Sequence, residues 1–265
     1  MSDTFRDVID KCSRALRMDF SSAEFAQLAA DNAYSVEAVA VVNEVFEYIC
    51  TKKEQATIQM LMRTSRLPLK NAKTFENFDF SVLKGKDIER LKSLPSLAPI
   101  YAHRNLAFIG PAGTGKTHLA MAFGYECCQH GMKTYFIKAS ELRDKFTNAR
   151  RLGKEASTLT ALVRPSCLII DEVGRCVFDR ESTGMFFDLI DRRYEKEGSN
   201  CMIFTSNKQP NDWLEFFRCD DDLKAALDRL FDDAKVITFK GESYRGRKRE
   251  VLAVEAGETA LHSGK

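Results

Sequence analysis

Residues 110–117 read GPAGTGKT, which matches the spacing G-x-x-x-x-G-K-[ST] without a gap. Gly110, Gly113 and Gly115 would let backbone pass close to phosphate oxygens, where a Cβ blocks the approach. Pro111, Ala112 and Thr114 complete a loop whose successive N–H groups, together with a helix N-terminus, face an anion. Lys116 is placed to reach the β- and γ-phosphates of a nucleoside triphosphate, and Thr117 to set its hydroxyl on Mg²⁺. His118 comes directly after and is grouped with these candidate nucleotide-binding residues. An apolar run at 105–109 precedes the loop and a helical stretch succeeds it, as this chemistry requires.

Further on, CLIIDE (167–172) is an apolar run ending in two carboxylates. Asp171 is the candidate Mg²⁺ holder, through water, and Glu172 the candidate general base for an attacking water. Such a pair argues for hydrolysis of a nucleotide by water, since a transferase needs no water-activating base beside the γ-phosphate. The next run, CMIFTSN (201–207), ends in polar residues. Asn207 could hydrogen-bond the γ-phosphate or the water, or could cap a strand-to-turn junction. Thr205 and Ser206 stand behind the site at most.

Arginines supply the charge that would complete such a site. Arg229 lies late in a helical stretch and could reach a neighbouring subunit's γ-phosphate; the alternative is a surface pair with Asp232 or Asp233 on its own helix. Arg245 lies after a strand candidate and could contact nucleotide in its own or an adjacent subunit. Arg192 and Arg193 raise the same question, with a solvated helix face as the alternative. The stretch 138–164 carries seven basic side chains against three acidic ones, and 240–250 five against two. Such clusters can neutralise DNA phosphates without reading sequence, or can simply be solvated faces.

The elements that must position these residues can be read from periodicity. Short apolar runs at 105–110, 133–139, 167–172, 201–207 and 235–241 read as strands, separated by helical stretches at 116–130, 140–163 (with a break near Gly153), 181–196 and 221–231. Alternation of this kind predicts an α/β fold, a parallel sheet with helices on both faces. Residues 1–65 read as an all-α N-terminal domain, with apolar positions at three- and four-residue steps and no glycine or proline before Pro68. Residues 66–100 read as a linker and lead-in helix at about 86–94, with Phe75, Phe78 and Phe80 packing back onto the main domain. That domain is expected over 101–250 and a frayed tail over 251–265.

The chain has 265 residues, 44% hydrophobic and 29% charged, which excludes a disordered chain and a small disulfide scaffold. The net charge of +2 neither demands nor excludes nucleic acid. No run approaches the ~20 apolar residues of a membrane helix, and MSDTFRDVID lacks the apolar run of a secretory signal. Eight cysteines without a C-x-x-C pair, and four scattered histidines, fit a reducing, cytoplasmic setting and argue against a metal centre of their own.

Taken together, GPAGTGKTHLA, IIDEVG, FFDLIDRRYE, TSN, ALDRLFDDA and GESYR occur in the order seen in the IstB/DnaC-like branch of the AAA+ ATPases, which the chain resembles. RLPLKNAKTFENFDF resembles the approach to the ATPase core in IstB proteins. The resemblance implies an AAA+ P-loop core with a five-stranded parallel sheet, and an ATP- and Mg²⁺-dependent helper of insertion-sequence transposition. It implies assembly as a homo-oligomer on duplex DNA, mainly through backbone contacts, with ATP sites between subunits and a transposase as partner. By resemblance Asn207 becomes the first sensor, Arg229 the arginine finger, and Arg245 a sensor-2-like candidate beside a reduced helical lid. RCVFDRE departs from the family by lacking a proline, and 145–165 is less rich in leucine. A DnaC-like helicase loader is the rival reading; a small-molecule kinase and a pseudo-ATPase scaffold fit the acidic pair and Lys116 less well.

Overall fold

The structure is a computed structural model that describes residues 3–244 apart from 86, 219–221, 233 and 242. Three helices come first: α1 (Asp3–Leu16), α2 (Ser22–Asp31) and α3 (Val36–Thr64). Ser21 starts α2 through a capping box with Glu24, and Ser35 caps α3 by accepting from the Ala38 N–H. Asp10 of α1 accepts from both the N–H and the hydroxyl of Ser22, each at 2.8 Å, so α1 is tied to the start of α2. Ile9 and Phe25 form the centre of this bundle, with Phe20, Val39, Val42 and Phe46 packed around them.

The far end of α3 reaches the sheet. The Ser65 carbonyl accepts from the Phe136 N–H at 2.8 Å, and Arg66 pairs with Glu141 at 2.7 Å. This contact covers part of an edge strand that would otherwise present unpaired backbone. The expected lead-in helix is shorter than the sequence suggests: α4 spans Ile88–Lys92 and α5 Ala98–Tyr101. Pro95 and Pro99 sit at the starts of short helical turns, where a missing N–H costs little.

The main body runs β1 (Leu106–Ile109), α6 (Lys116–Gln129), β2 (Thr134–Lys138), α7 (Ala139–Arg151), α8 (Glu155–Val163), β3 (Cys167–Val173), α9 (Arg180–Tyr194), β4 (Cys201–Ser206), α10 (Asp222–Phe231) and β5 (Lys235–Thr238). The five strands form the expected parallel sheet, in the order β2-β3-β4-β1-β5. The long helical stretch breaks at Gly153, whose φ is +60°. One sheet face packs against α7, α8 and α9 through Leu142, Phe146, Phe186 and Leu189, with Trp213 fully buried beside them. The other packs against α6 and the lead-in through Phe123, Leu119, Ile100 and Phe75. Phe78 and Phe80 also lie against that second core, edge to face at 4.8 Å. Among the described residues no helix is long and apolar enough to cross a membrane.

Candidate nucleotide-binding site

The chain leaves β1 at Ile109, turns through the glycine loop and enters α6 at Lys116. Gly113 and Gly115 take φ of +78° and +95°. A Cβ on Gly113 would lie 1.9 Å from Ser243 Oγ, and one on Gly115 2.8 Å from the Phe78 ring. Two distant segments therefore brace the loop. The Tyr244 N–H donates to the Gly113 carbonyl at 3.0 Å, while its hydroxyl donates to the Val82 carbonyl at 2.7 Å. Gly115 is the N-cap of α6 and makes no side-chain cap bond, so the first helical turn faces the loop uncapped by a side chain.

Lys116 is buried, and its Nζ donates to the carbonyls of Gly110 at 2.7 Å and Pro111 at 2.6 Å. A buried ammonium needs such acceptors. Thr117 Oγ1 donates to Asp171 Oδ1 at 2.8 Å, and Thr205 Oγ1 donates to the same oxygen at 2.5 Å. Asp171 is 3% exposed. A hydroxyl and a carboxylate held together at the loop form a hard-oxygen donor set that fits Mg²⁺, and the glycine cradle fits phosphate.

Glu172 has φ +60°, outside the usual range for a side chain of its size. The reason is local. Register between β3 and β4 shifts between Ile170 and Val173, and the Glu172 N–H turns to donate to Thr205 Oγ1 at 3.0 Å. Irregularities of this kind re-aim a side chain, and the strain of about 1–3 kcal/mol is typical of functional sites. The Glu172 carboxylate meets Arg175 at 2.6 Å and Lys138 at 3.7 Å. Ser206 knits the strand ends together: its carbonyl accepts from the Gly110 N–H at 3.1 Å and its hydroxyl donates to the Val173 carbonyl at 2.7 Å. Asn207 comes next, exposed, at the same end of the sheet.

The glycine loop, Thr117 and Asp171 thus meet in space, with Glu172 beside them. The His118 side chain turns toward the lead-in: its Nε2 lies 2.8 Å from the Thr74 carbonyl and its ring meets Phe78, the ring that braces Gly115, edge to face at 5.0 Å. Burial pushes the His118 pKa down and Lys73 acts in the same direction, against the Thr74 carbonyl. Arg229 is exposed near the end of α10 and pairs with Asp191 of α9 at 2.7 Å; Asp233, one of the partners considered from sequence, lies outside the described residues. Arg192 lies on a solvated face, paired with Asp188 at 2.6 Å. Arg193 fits neither sequence reading: it is 1% exposed and donates to the carbonyls of Leu162, Val163, Pro165, Ser166 and Cys201. Arg245 lies outside the described residues.

Several cations of 138–164 have partners within the chain: Lys138 with Glu172, Arg143 with Asp144, and Arg150 with Asp179 and Glu181. Sequence reasoning placed Thr205 behind the site at most, without its bonds to the two acidic residues, and missed the bracing by Ser243 and Tyr244 and the contact of Phe78 with the loop. A β-branched hydroxyl ending an otherwise apolar strand was the available signal for Thr205.

A family described as IstB-like ATP binding protein matches residues 14–251. A Geobacillus stearothermophilus protein named as an ATP-binding protein of insertion sequence IS5376 is 38% identical over 200 residues, covering 76% of this chain and 78% of its own. A Pseudomonas aeruginosa protein named for insertion sequence IS21 is 34% identical over 202 residues, covering 76% and 74%. Among solved structures, AMPPCP-bound DnaA from Aquifex aeolicus superposes with TM-score 0.53 at 20% identity, covering 65% of this chain and 51% of that one. The DnaC helicase loader superposes with TM-score 0.50 at 17% identity, covering 62% and 97%. These two likenesses show the fold alone, a five-stranded parallel α/β core with the glycine loop after its first strand. The chain belongs to the IstB-like ATP-binding protein family.

Proposed function

We propose that the chain hydrolyses ATP with Mg²⁺ and, in its ATP state, assembles on duplex DNA and presents that DNA to a partner transposase. The observation that carries the hydrolytic part is the pairing of Asp171 with Thr117 at 2.8 Å while the next residue, Glu172, is turned out of the strand with a second carboxylate. Thr117 and Asp171 would hold Mg²⁺, which supplies charge neutralisation at the phosphate oxygens. Lys116 exchanges loop carbonyls for phosphate oxygens. Glu172 takes a proton from water as the water oxygen bonds to the γ-phosphorus; the bond from that phosphorus to the β,γ-bridging oxygen breaks, and ADP leaves. Asn207 positions the water. Arg229, released from an exposed ion pair of little energetic weight, serves the site of a neighbouring subunit.

The DNA part is supported by relatives named for insertion sequences and by exposed Arg151 and Lys154 at the α7–α8 turn. It is tested by sedimentation and electron microscopy with duplex DNA under ATP, under ADP, and with Glu172→Gln under ATP. Large ATP-dependent assemblies, trapped by Glu172→Gln, are the expected result. Absence of duplex binding in every nucleotide state overturns the DNA part and turns attention to a replicative helicase as partner. Retained ATP-dependent assembly by Lys116→Ala would overturn the role given to the loop.

A further inference from the structure

The lead-in presses one aromatic ring against the glycine loop, and α6 holds that ring in place. Phe78 lies so close to Gly115 that a Cβ there would sit 2.8 Å from the ring. Gly115 is the N-cap of α6, with φ +95°, and sets the direction of the N–H groups that open the helix. Phe78 is half-buried and meets two rings edge to face, Phe80 at 4.8 Å and His118 at 5.0 Å. The segment before it is a closed turn: the Asn77 side chain accepts from the Thr74 N–H at 3.0 Å and donates to the Ala72 carbonyl at 2.6 Å. The Phe78 N–H donates to the carbonyl of Phe75, which is buried in the second core. His118 joins this turn to α6. A carbonyl only accepts, so His118 Nε2, 2.8 Å from the Thr74 oxygen, is a ring nitrogen that carries hydrogen.

We infer that His118 is a positioning residue for nucleotide: through Phe78 it holds Gly115, and with it the first turn of α6, in the shape that receives phosphate. The inference rests on the reading that the glycine loop takes ATP. Glycine is the most permissive residue, so a loop carrying Gly110, Gly113 and Gly115 loses much freedom when its N–H groups converge on an anion. A ring braced from outside removes part of that freedom before nucleotide arrives, and pre-organisation of this kind is expressed as affinity. The ring also lays apolar surface along one side of the loop, and contacts between N–H groups and phosphate strengthen where water is excluded. His118 supplies two contacts to the brace from α6 itself, one to the turn and one to the ring. It thus acts on loop backbone that ATP and ADP would share, so it governs the affinity of both and not the breaking of the phosphate bond. Tyr125, about 10 Å further along α6, ties the lead-in elsewhere, through its hydroxyl to the Pro68 carbonyl.

The test is isothermal titration of the full chain with ADP and with a methylene-bridged ATP analogue, beside steady-state ATP turnover. His118→Ala should raise the Kd of both nucleotides about tenfold, while kcat at saturating ATP changes less than about threefold. His118→Gln keeps an N–H for the Thr74 carbonyl but has no ring, and should recover part of the affinity. Phe78→Leu should weaken binding as well. Combined with His118→Ala it should cost less than the two separate effects multiplied, because one residue acts through the other. Tyr125→Phe, which loosens the lead-in at Pro68, should leave both Kd values unchanged; a general loosening of the lead-in would raise them. Unchanged Kd in His118→Ala, a fall in kcat alone, no recovery by His118→Gln, full multiplicativity with Phe78→Leu, or weakening by Tyr125→Phe equal to that by His118→Ala would each overturn the inference. A wild-type chain that binds neither nucleotide would overturn the reading of the glycine loop itself.

Discussion

Thr205 holds two things at once: its hydroxyl donates to Asp171 and accepts from the Glu172 N–H. Thr205→Val keeps the shape and loses both bonds. The expected cost is about 1–3 kcal/mol, read as a lower melting temperature, with ATP turnover falling more than ATP affinity. Glu172→Gln should leave ATP binding near wild type and slow hydrolysis about 10²–10⁴-fold, measured by phosphate release in single turnover. The glycine loop and the acidic pair were legible in sequence because residue type and order alone specify them. Thr205 was legible only as a residue behind the site; its bonds to Asp171 and Glu172 were not, because they depend on a strand that is separated from its own by a whole helix in sequence but adjacent in the sheet. That the His118 ring turns toward the lead-in was not readable for a related reason: its position beside Thr117 says nothing about which side of α6 it occupies.

At the scale of elements, the loop is shaped by segments remote in sequence. Gly113→Ala would force a Cβ into Ser243 Oγ and require a left-handed φ of alanine. It should abolish or sharply weaken ATP binding in a titration while the fold, monitored by circular dichroism, persists. The lead-in is held to α6 in part by His118, whose pKa lies below its ordinary 6.5 because it is buried. As pH falls through the ordinary value, the unfolded chain takes up a proton that the folded chain does not. Stability contributed at this position is therefore complete above that pH and is lost on the acid side, down to the lowered pKa. Thermal melts of wild type and His118→Gln should diverge in slope below about pH 6.5, with wild type the steeper. Periodicity located the five strands and the break at Gly153, since alternation and glycine are local signals. It placed the lead-in helix at about 86–94, whereas the helix spans Ile88–Lys92 and the chain then passes into short turns that hold Pro95 and Pro99.

Across the whole molecule, Arg193 is a buried junction between the end of α8 and the starts of β3 and β4. Burial lowers its pKa to about 10. Arg193→Met would leave five carbonyls short of a donor, and urea unfolding should show a loss of about 3 kcal/mol or more. Its neighbour Arg192 looks identical in sequence, yet Arg193 shares the helical face of Phe186, Leu189 and Ile190, which decides its burial. That spacing was readable; that a guanidinium could satisfy itself on strand-end carbonyls was not. Helix α3 is anchored at Ser65 on the sheet edge and carries the N-terminal bundle at its other end. Its 29 residues make a rod about 43 Å long. Pivoting at the sheet by about 10° would sweep the far tip through roughly 8 Å, so the helix is a lever that turns sub-ångström adjustments beside β2 into displacements the width of a side chain or more.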